Sequence, residues 1–370
     1  MIQRLYVHNF RCLENFELSL SGLSSALLIG RNGVGKSTVS LALEVIQKLG
    51  RGETRAKNLI KLSDFARGRT EVPMRFELQV LQEGRVYVYS LALELPEGFK
   101  EARIAEEALT VDGDSVFSRQ AAEVTLSSGA GKQAQFRVDW HLTALPVIQA
   151  RNASEPISVF RSWLAHSLIL SPIPSLMNGY SDDETLFPVR NASNFGDWIA
   201  GILSQYPAAY TEIFAYLKAL MPDINDFRND LRGKDAKNTL VRFSLKQEMF
   251  QVPFEALSDG EKCFFLCAAV TAANKYYGPL FCFWDEPDSH MSLSEVSHFI
   301  VHLRRTFKSG GQIIMTSHSE SAIRSFSDES TFLLDRKTHL EPTQVRSLAD
   351  MSLKRGESLV EMFRLGNLEI

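Results

Sequence analysis

The chain has 370 residues, a length that predicts about two domains on a scale of roughly 150 residues each. Apolar residues make up 45% of it and charged residues 23%, which is typical of a globular protein and excludes disordered and collagen-like classes. The formal net charge is −4, so nucleic-acid binding would have to depend on local basic patches. We expect neither a membrane span nor a signal peptide, because no run of about 18 uncharged apolar residues occurs and the start of the chain alternates.

The cysteines are few and lack metal-binding spacing. Cys12, Cys263, Cys267 and Cys282 form no C-x-x-C pair. This pattern disfavours a disulfide scaffold or a zinc ribbon and favours the reducing environment of the cytoplasm.

Strand and helix patterns alternate along the first part of the chain. Alternation predicts a strand at Arg4–Phe10, and the apolar run Ser25–Ile29 predicts a strand buried on both faces. After a glycine-rich turn, three- and four-residue apolar spacing predicts a helix from Lys36 to Leu49. From Met74 to about Asp139, strand-like segments separated by turn residues predict an antiparallel meander.

The second half begins with helical spacing between about Ala150 and Met221, followed by one strand-like segment at Arg242–Val252. Helices and strands then alternate once more. We expect a helix from Ser258 to about Tyr277, a strand at Leu280–Trp284, a helix at about Ser292–Phe307, a strand at Gln312–Thr316 and a strand near Phe332–Leu334.

The turn after the second strand, GRNGVGKST at residues 30–38, matches G-x-x-x-x-G-K-[ST] between a strand and a helix. Its glycines let backbone N–H groups converge on phosphates, and the helix N-terminus adds partial positive charge. Lys36 can reach the terminal phosphates, Ser37 can offer its hydroxyl to Mg²⁺, and Thr38 can bond the α-phosphate. We assign phosphate binding to the whole loop: Gly30, Arg31, Asn32, Gly33, Val34, Gly35, Lys36, Ser37 and Thr38.

A very apolar strand ends in two carboxylates, Asp285 and Glu286. Asp285 at the strand end can hold the shell of a Mg²⁺ ion, and Glu286 can polarise an attacking water. Strands often end in polar residues, so this assignment depends on the phosphate loop upstream.

Two further segments allow an ordinary and a functional interpretation. In LSDGEK, residues 257–262, Ser258 and Glu261 form a capping-box pattern that by itself marks a helix start. His318 follows the apolar strand Gln312–Thr316. A single histidine at such a place is usually structural.

In this order the four motifs resemble those of ABC-type ATPases, and LSDGEK resembles the signature of the SMC and RecF-like branch. The chain resembles bacterial AAA family ATPases of the AAA_15/AAA_21 kind, related to the ATPases of OLD and Septu phage-defence systems, over residues 1–50 and 250–325. The resemblance implies ATP as the nucleotide. It implies His318 as a switch histidine that contacts the γ-phosphate and is catalytic together with Glu286, and Ser258 and Gly260 as contacts to the γ-phosphate held by another subunit.

The resemblance also implies the fold class, an α/β P-loop NTPase of the ABC-ATPase head type with an antiparallel β meander and an inserted helical subdomain. Residues 1–150 and 251–370 would form the two parts of the head, and residues 151–250 the helical insertion. An SMC coiled coil would need hundreds of residues, and the 52 residues after His318 are too few for the Toprim nuclease domain of OLD proteins.

The implied function is Mg²⁺-dependent ATP hydrolysis by heads that pair around ATP, as a homodimer or a higher homo-oligomer. Such a protein would sense or regulate a partner effector, a nuclease or toxin, in anti-phage defence. The alternative is a RecF-like DNA-binding ATPase in DNA repair. Neither interpretation involves a membrane.

Several weaker signals leave alternatives open. Asn9 and Arg11 could line the nucleotide or be an ordinary strand residue and a surface arginine. We predict Gln149, in preference to Gln120, as the Q-loop glutamine. The basic run of residues 51–69 is interpreted either as a solvated loop or as a contact to nucleic-acid phosphates.

Overall fold

The computed structural model describes residues 1–128, 132–246 and 248–351, and its internal contacts divide the chain into two units. The first unit contains Met1–Ser167 and the chain from Ser327 onward, and the second contains Leu168–Phe326. The end of the expected segment 251–370, from residue 352, lies outside the described residues.

The first unit is built mainly on strands. Up to residue 167 its elements are β1 (Ile2–His8), β2 (Phe16–Ser19), β3 (Ser25–Ile29), α1 (Lys36–Gly50), α2 (Ala56–Leu59), β4 (Met74–Gln82), β5 (Arg85–Glu94), β6 (Arg103–Val111), β7 (Asp114–Gln120), β8 (Glu123–Ser128), β9 (Lys132–Arg137) and α3 (Pro156–His166).

An eight-stranded sheet in the order β2-β1-β4-β5-β6-β7-β8-β9 dominates this unit, and its neighbouring strands are antiparallel. Along β4 every second side chain is buried, as expected for a sheet with one face on the core. The expected meander is therefore confirmed, and β1 and β2 extend it. Tyr87 and Tyr89 of β5 pack on Phe160 of α3.

The second unit mixes helices and strands. Its elements are β10 (Leu168–Leu170), β11 (Tyr180–Ser181), α4 (Phe195–Gln205), α5 (Ala209–Leu220), β12 (Ile224–Arg232), β13 (Ala236–Leu245), β14 (Glu248–Pro253), α6 (Asp259–Tyr276), β15 (Phe281–Trp284), α7 (Leu293–Lys308), β16 (Gln312–Thr316) and α8 (Glu320–Arg324).

The strands of the second unit form two groups. β15 pairs in parallel with β10 and with β16, and all of their residues are buried. β13 pairs antiparallel with β11, β12 and β14. The parallel group matters most for function, because it brings the ends of β15 and β16 to the same edge.

The chain then returns to the first unit with β17 (Thr331–Asp335) and β18 (Gln344–Ser347). β17 pairs in parallel with β3 and antiparallel with β18. β3, the strand that leads into residues 30–38, is therefore supported by a strand from far along the chain.

The segment 151–250, expected as a helical insertion with one strand at Arg242–Val252, contains more strands than that. It contains α3, α4 and α5, but also five strands from β10 to β14. β12 and β13 are charged strands that turn at Gly233 and bury few side chains, so they lack the alternation that reveals a strand. No helix in the described ranges combines the length and the apolar content that crossing a membrane requires.

Candidate functional site

The phosphate loop folds its lysine back onto its own backbone. Lys36 is buried, and its Nζ donates to the carbonyl oxygens of Gly30 at 3.0 Å and Arg31 at 3.2 Å. Arg31, Asn32, Gly33 and Ser37 are exposed. The ammonium group thus lies inside the curve of the loop, where it can exchange carbonyl oxygens for phosphate oxygens.

Two glycines make the loop sterically feasible. Gly30 has a φ of +150°, and a Cβ there would collide with the carbonyl oxygen of Leu334 in β17. Gly35 has a φ of +107°, and a Cβ there would lie 2.7 Å from Cys12 Sγ and 2.9 Å from Thr343 Oγ1. Any other residue at either position would clash and strain the backbone.

Thr343 is a supporting residue that no motif revealed. Its hydroxyl donates to the carbonyl oxygen of Val34 at 2.6 Å, and its N–H donates to the carbonyl oxygen of Cys12 at 2.9 Å. The side chain is buried. A threonine 309 positions away in sequence therefore orients the peptide inside the phosphate loop.

In the second unit, the acidic pair at the end of β15 is held by Thr316 at the end of β16. The Thr316 hydroxyl donates to Asp285 Oδ1 at 2.7 Å and accepts from the backbone N–H of Glu286 at 2.8 Å. Thr316 and Asp285 are both buried. One hydroxyl thus sets the orientation of both acidic residues, a role that the sequence motifs did not reveal.

Glu286 and His318, the two residues that we expected to act at the γ-phosphate, lie next to each other in the structure. His318 Nε2 lies 3.3 Å from Glu286 Oε1, and Ser289 donates to Glu286 Oε2 at the same distance. Glu286 has a φ of 48°, a left-handed conformation that is unusual outside glycine and that recurs at functional sites. A carboxylate held between an imidazole and a hydroxyl can accept a proton from water or orient it.

Asp288 lies beside this group and is engaged by Ser317. The Ser317 hydroxyl donates to Asp288 Oδ2 at 2.6 Å, and the same hydroxyl accepts from the N–H of Ser319. Burial raises the pKa of Asp288 above its ordinary value, although the bond from Ser317 opposes that shift. The hydrogen bond from Ser317 to Asp288 therefore links the segment that follows β16 to the segment that follows β15.

The LSDGEK segment begins helix α6 with a complete capping box. Ser258 N–H donates to Glu261 Oε2 at 2.8 Å, and Glu261 N–H donates to Ser258 Oγ at 3.4 Å. His290 Nδ1 lies 3.7 Å from Asp259 Oδ2, and a Cβ on Gly260 would lie 3.2 Å from the carbonyl oxygen of His290. Ser258 is exposed at the helix N-terminus, so the capping role and the phosphate-binding role are compatible.

The structure shows the surroundings of the residues that carried the weaker predictions. Asn9 is fully buried and donates to the carbonyl oxygens of Arg69 and Val72, so it is a structural residue rather than one that lines a nucleotide. Arg11 bonds Asp64 Oδ1 at 2.8 Å. Gln149 and Gln120 are both exposed.

Comparison with known proteins identifies the family of the chain. The family model AAA_21, described as "AAA domain, putative AbiEii toxin, Type IV TA system", matches residues 25–324, which is more than half of the chain. The chain belongs to this family. The recognition from motifs is thereby confirmed at the level of the family.

One curated relative matches over a short stretch. The OLD nuclease of Thermus scotoductus (strain ATCC 700910 / SA-01) is 44% identical over 46 residues, which are 12% of this chain and 8% of that protein. The chain thus matches less than a tenth of the length of that relative.

Solved structures confirm the fold. The SmcHead bound to the C-winged helix domain of ScpA has a TM-score of 0.56 at 14% identity and covers 94% of this chain and 98% of its own. An Smc head domain with an extended coiled coil, bound to the C-terminal domain of ScpA derived from Pyrococcus furiosus, has a TM-score of 0.56 at 12% identity, with 94% and 96% covered. At such identity the likeness concerns the α/β ATPase-head fold alone.

Proposed function

We propose that this chain binds ATP together with Mg²⁺ and hydrolyses it, as an ABC/SMC-like ATPase. The observation that carries the proposal is the strand edge in the second unit, where Glu286 lies 3.3 Å from His318 and shares Thr316 with Asp285. Such a carboxylate can polarise a water for attack on phosphorus. Membership of an AAA ATPase family supports the same reaction class.

The phosphate loop supplies nucleotide binding in this proposal. Lys36 exchanges its bonds to Gly30 and Arg31 for bonds to the terminal phosphates, which carry more negative charge than two carbonyl oxygens. Residues 31–33 are exposed, and a Cβ on Gly33 would meet nothing within 4 Å, so N–H groups of this stretch can contact phosphate oxygens.

The residues present fit Mg²⁺. Ser37 offers an exposed hydroxyl and Asp285 a carboxylate, which are oxygen ligands of the kind that this ion prefers. Within the described ranges, no three His, Cys, Asp or Glu side chains cluster to form a metal cage. In this proposal the nucleotide's phosphates supply further oxygen ligands, and the ion neutralises part of their charge.

We further propose that two chains pair around ATP in the cytoplasm, with Ser258 and Gly260 of each chain contacting the γ-phosphate on the other. The pair would regulate an effector, a nuclease or toxin, in anti-phage defence. The family description, which names a toxin and a type IV TA system, and the short match to an OLD nuclease support this role.

A RecF-like DNA-binding ATPase is the second candidate. Three basic side chains of the run 51–69 favour it, because Arg55, Lys57 and Lys61 are exposed.

Two substitutions test the ATPase. Glu286→Gln removes the group that polarises water and should retain ATP while losing turnover by about 100-fold or more. Lys36→Ala removes phosphate contacts and should lose ATP affinity. Steady-state ATPase assays and titrations with a fluorescent ATP analogue measure both effects. Turnover near the native rate in Glu286→Gln would refute the catalytic assignment.

A further inference from the structure

Arg190, which belongs to none of the motifs, lies beside the carboxylate of Asp285. Its Nη2 is 3.5 Å from Asp285 Oδ2, and the side chain of Asp285 is only 6% exposed. A buried carboxylate without a counter-charge is costly, so the positive guanidinium beside Asp285 offsets part of that cost.

The two oxygens of Asp285 are held unequally. Oδ1 accepts the Thr316 hydroxyl at 2.7 Å. Oδ2 faces Arg190 Nη2 and Ser171 Oγ, each at 3.5 Å. Strong arginine–carboxylate bonds are about 2.8 Å long, so Oδ2 is the loosely held oxygen.

The backbone of Arg190 is held next to that of Asp285 through the end of β10. Its carbonyl oxygen accepts the N–H of Ser171 at 2.8 Å, and the N–H of Asp285 donates to the carbonyl oxygen of Leu170 at 2.8 Å. Both residues are thus fastened to the end of β10. The Arg190 side chain is 28% exposed, so a path toward solvent is open to its guanidinium that leaves these backbone bonds intact.

We propose that Arg190 competes with a divalent cation for Oδ2 of Asp285. The proposal rests on the role of Asp285 as a metal ligand given above. A hard cation prefers a carboxylate oxygen, and two positive charges within about 4 Å repel each other. Arg190 therefore stays beside Asp285 while the cation is absent and moves away when the cation binds. This competition sets the cation concentration that the site requires.

The test uses Glu286→Gln as the reference protein, because it holds nucleotide without turnover. A fluorescent ATP analogue is titrated with Mg²⁺, and the concentration of Mg²⁺ at half-maximal analogue retention is measured. Arg190→Gln should lower that concentration about fivefold, whereas Arg190→Lys should stay near the reference. Retention of the analogue in EDTA should not change.

Arg228→Gln is the matched control. It removes the charge of a surface arginine of the same unit, which pairs with Asp230 at 2.7 Å, and should leave the Mg²⁺ requirement unchanged. Arg190→Met is a second neutral variant with the same expected result if the glutamine variant fails to fold.

An unchanged or higher Mg²⁺ requirement in the folded neutral variants would overturn the proposal. Weaker retention in EDTA would also overturn it, since Arg190 would then bind phosphate directly. A reference protein that retains no analogue under any condition would instead contradict the proposed ATP binding.

Discussion

At the scale of single residues, buried hydroxyl groups orient the phosphate loop in the first unit and the acidic pair in the second. Thr343 bonds the carbonyl oxygen of Val34 in the phosphate loop, and Thr316 bonds both acidic residues at the end of β15. Each is buried, so each bond is protected from water. Neither threonine binds phosphate in our proposal, and each acts through the groups that it orients.

Two substitutions of Thr343 distinguish the contribution of its hydrogen bond to Val34 from the contribution of its side-chain shape. Thr343→Val removes the hydroxyl and leaves the buried Val34 carbonyl without it, at a cost of about 1–3 kcal/mol. We expect ATP affinity to fall about fivefold, as a loss of about 1 kcal/mol in the loop would produce. Thr343→Ser keeps the donor and should bind within about twofold of the native protein. Titration with a fluorescent ATP analogue measures both, and native affinity in the valine variant would contradict a positioning role.

At the scale of elements, the basic run of residues 51–69 separates into two groups. Arg51 donates to the carbonyl oxygens of Ala165 and Ser167, which joins the end of α1 to the end of α3. Arg67 and Arg69 both pair with Glu14. These three arginines are structural, so the interpretation of the whole run as one patch is too broad.

The other group contains the exposed Arg55 and Lys57, whose segment pairs with the residues that follow an exposed tryptophan. A β-bridge joins Arg55 to Leu142, and Ala56 N–H donates to the carbonyl oxygen of His141 at 2.8 Å. The bridge brings the backbone of Arg55 and Ala56 beside that of His141 and Leu142, and Arg103 lies over the ring of the preceding Trp140, which is 44% exposed. Basic side chains next to an exposed aromatic ring are typical of surfaces that bind single-stranded nucleic acid.

Charge reversal tests this surface. A triple substitution to glutamate at Arg55, Lys57 and Lys61 should weaken binding of a labelled oligonucleotide and flatten its salt dependence, by about 0.7 to 0.9 in slope for each phosphate that is no longer neutralised. Fluorescence anisotropy across a range of salt concentrations measures both quantities. The matched control reverses three exposed lysines elsewhere, Lys234, Lys308 and Lys337. No affinity of the native protein at low salt would show that Arg55, Lys57 and Lys61 are only solvated side chains.

At the scale of the whole molecule, the phosphate loop and the LSDGEK segment lie in different units of one chain. In the proposed assembly they also serve different nucleotides, so the contact between two chains is isologous around a two-fold axis. A γ-phosphate is present only in the ATP state, so pairing should tighten with ATP and loosen with ADP.

Ser258→Arg should abolish turnover and spare ATP binding, because it places bulk at the proposed seam between chains. Ser292→Arg is the matched control, since Ser292 forms the same capping box with Glu295 at the start of α7. Mixing Lys36→Ala chains with Ser258→Arg chains should restore part of the ATPase rate, because one composite site stays intact. Light scattering and ATPase assays test this. Full ATPase activity of a monomeric Ser258→Arg protein would show that LSDGEK only caps the start of a helix.

The sequence alone predicted elements whose signals are local. The strand bounds Ser25–Ile29 and Gln312–Thr316 agree with the structure, and helix α1 extends one residue beyond Leu49. Apolar runs bounded by glycine or polar residues define such elements without reference to the rest of the chain. The same holds for the phosphate loop, whose chemistry lies in nine consecutive residues.

Only the tertiary structure decided which residues support those motifs. Thr343, Thr316 and Arg190 contact their partners across 309, 31 and 95 positions of sequence, and single threonines and arginines form no pattern. β12 and β13 were missed for a related reason, because backbone pairing holds these charged strands more than burial does. The sequence by itself determined the local backbone and the chemical groups of the motifs, since both follow from neighbouring residues. Long-range packing decided how those groups are oriented, because a hydrogen bond between distant residues exists only once the strands that carry them are side by side.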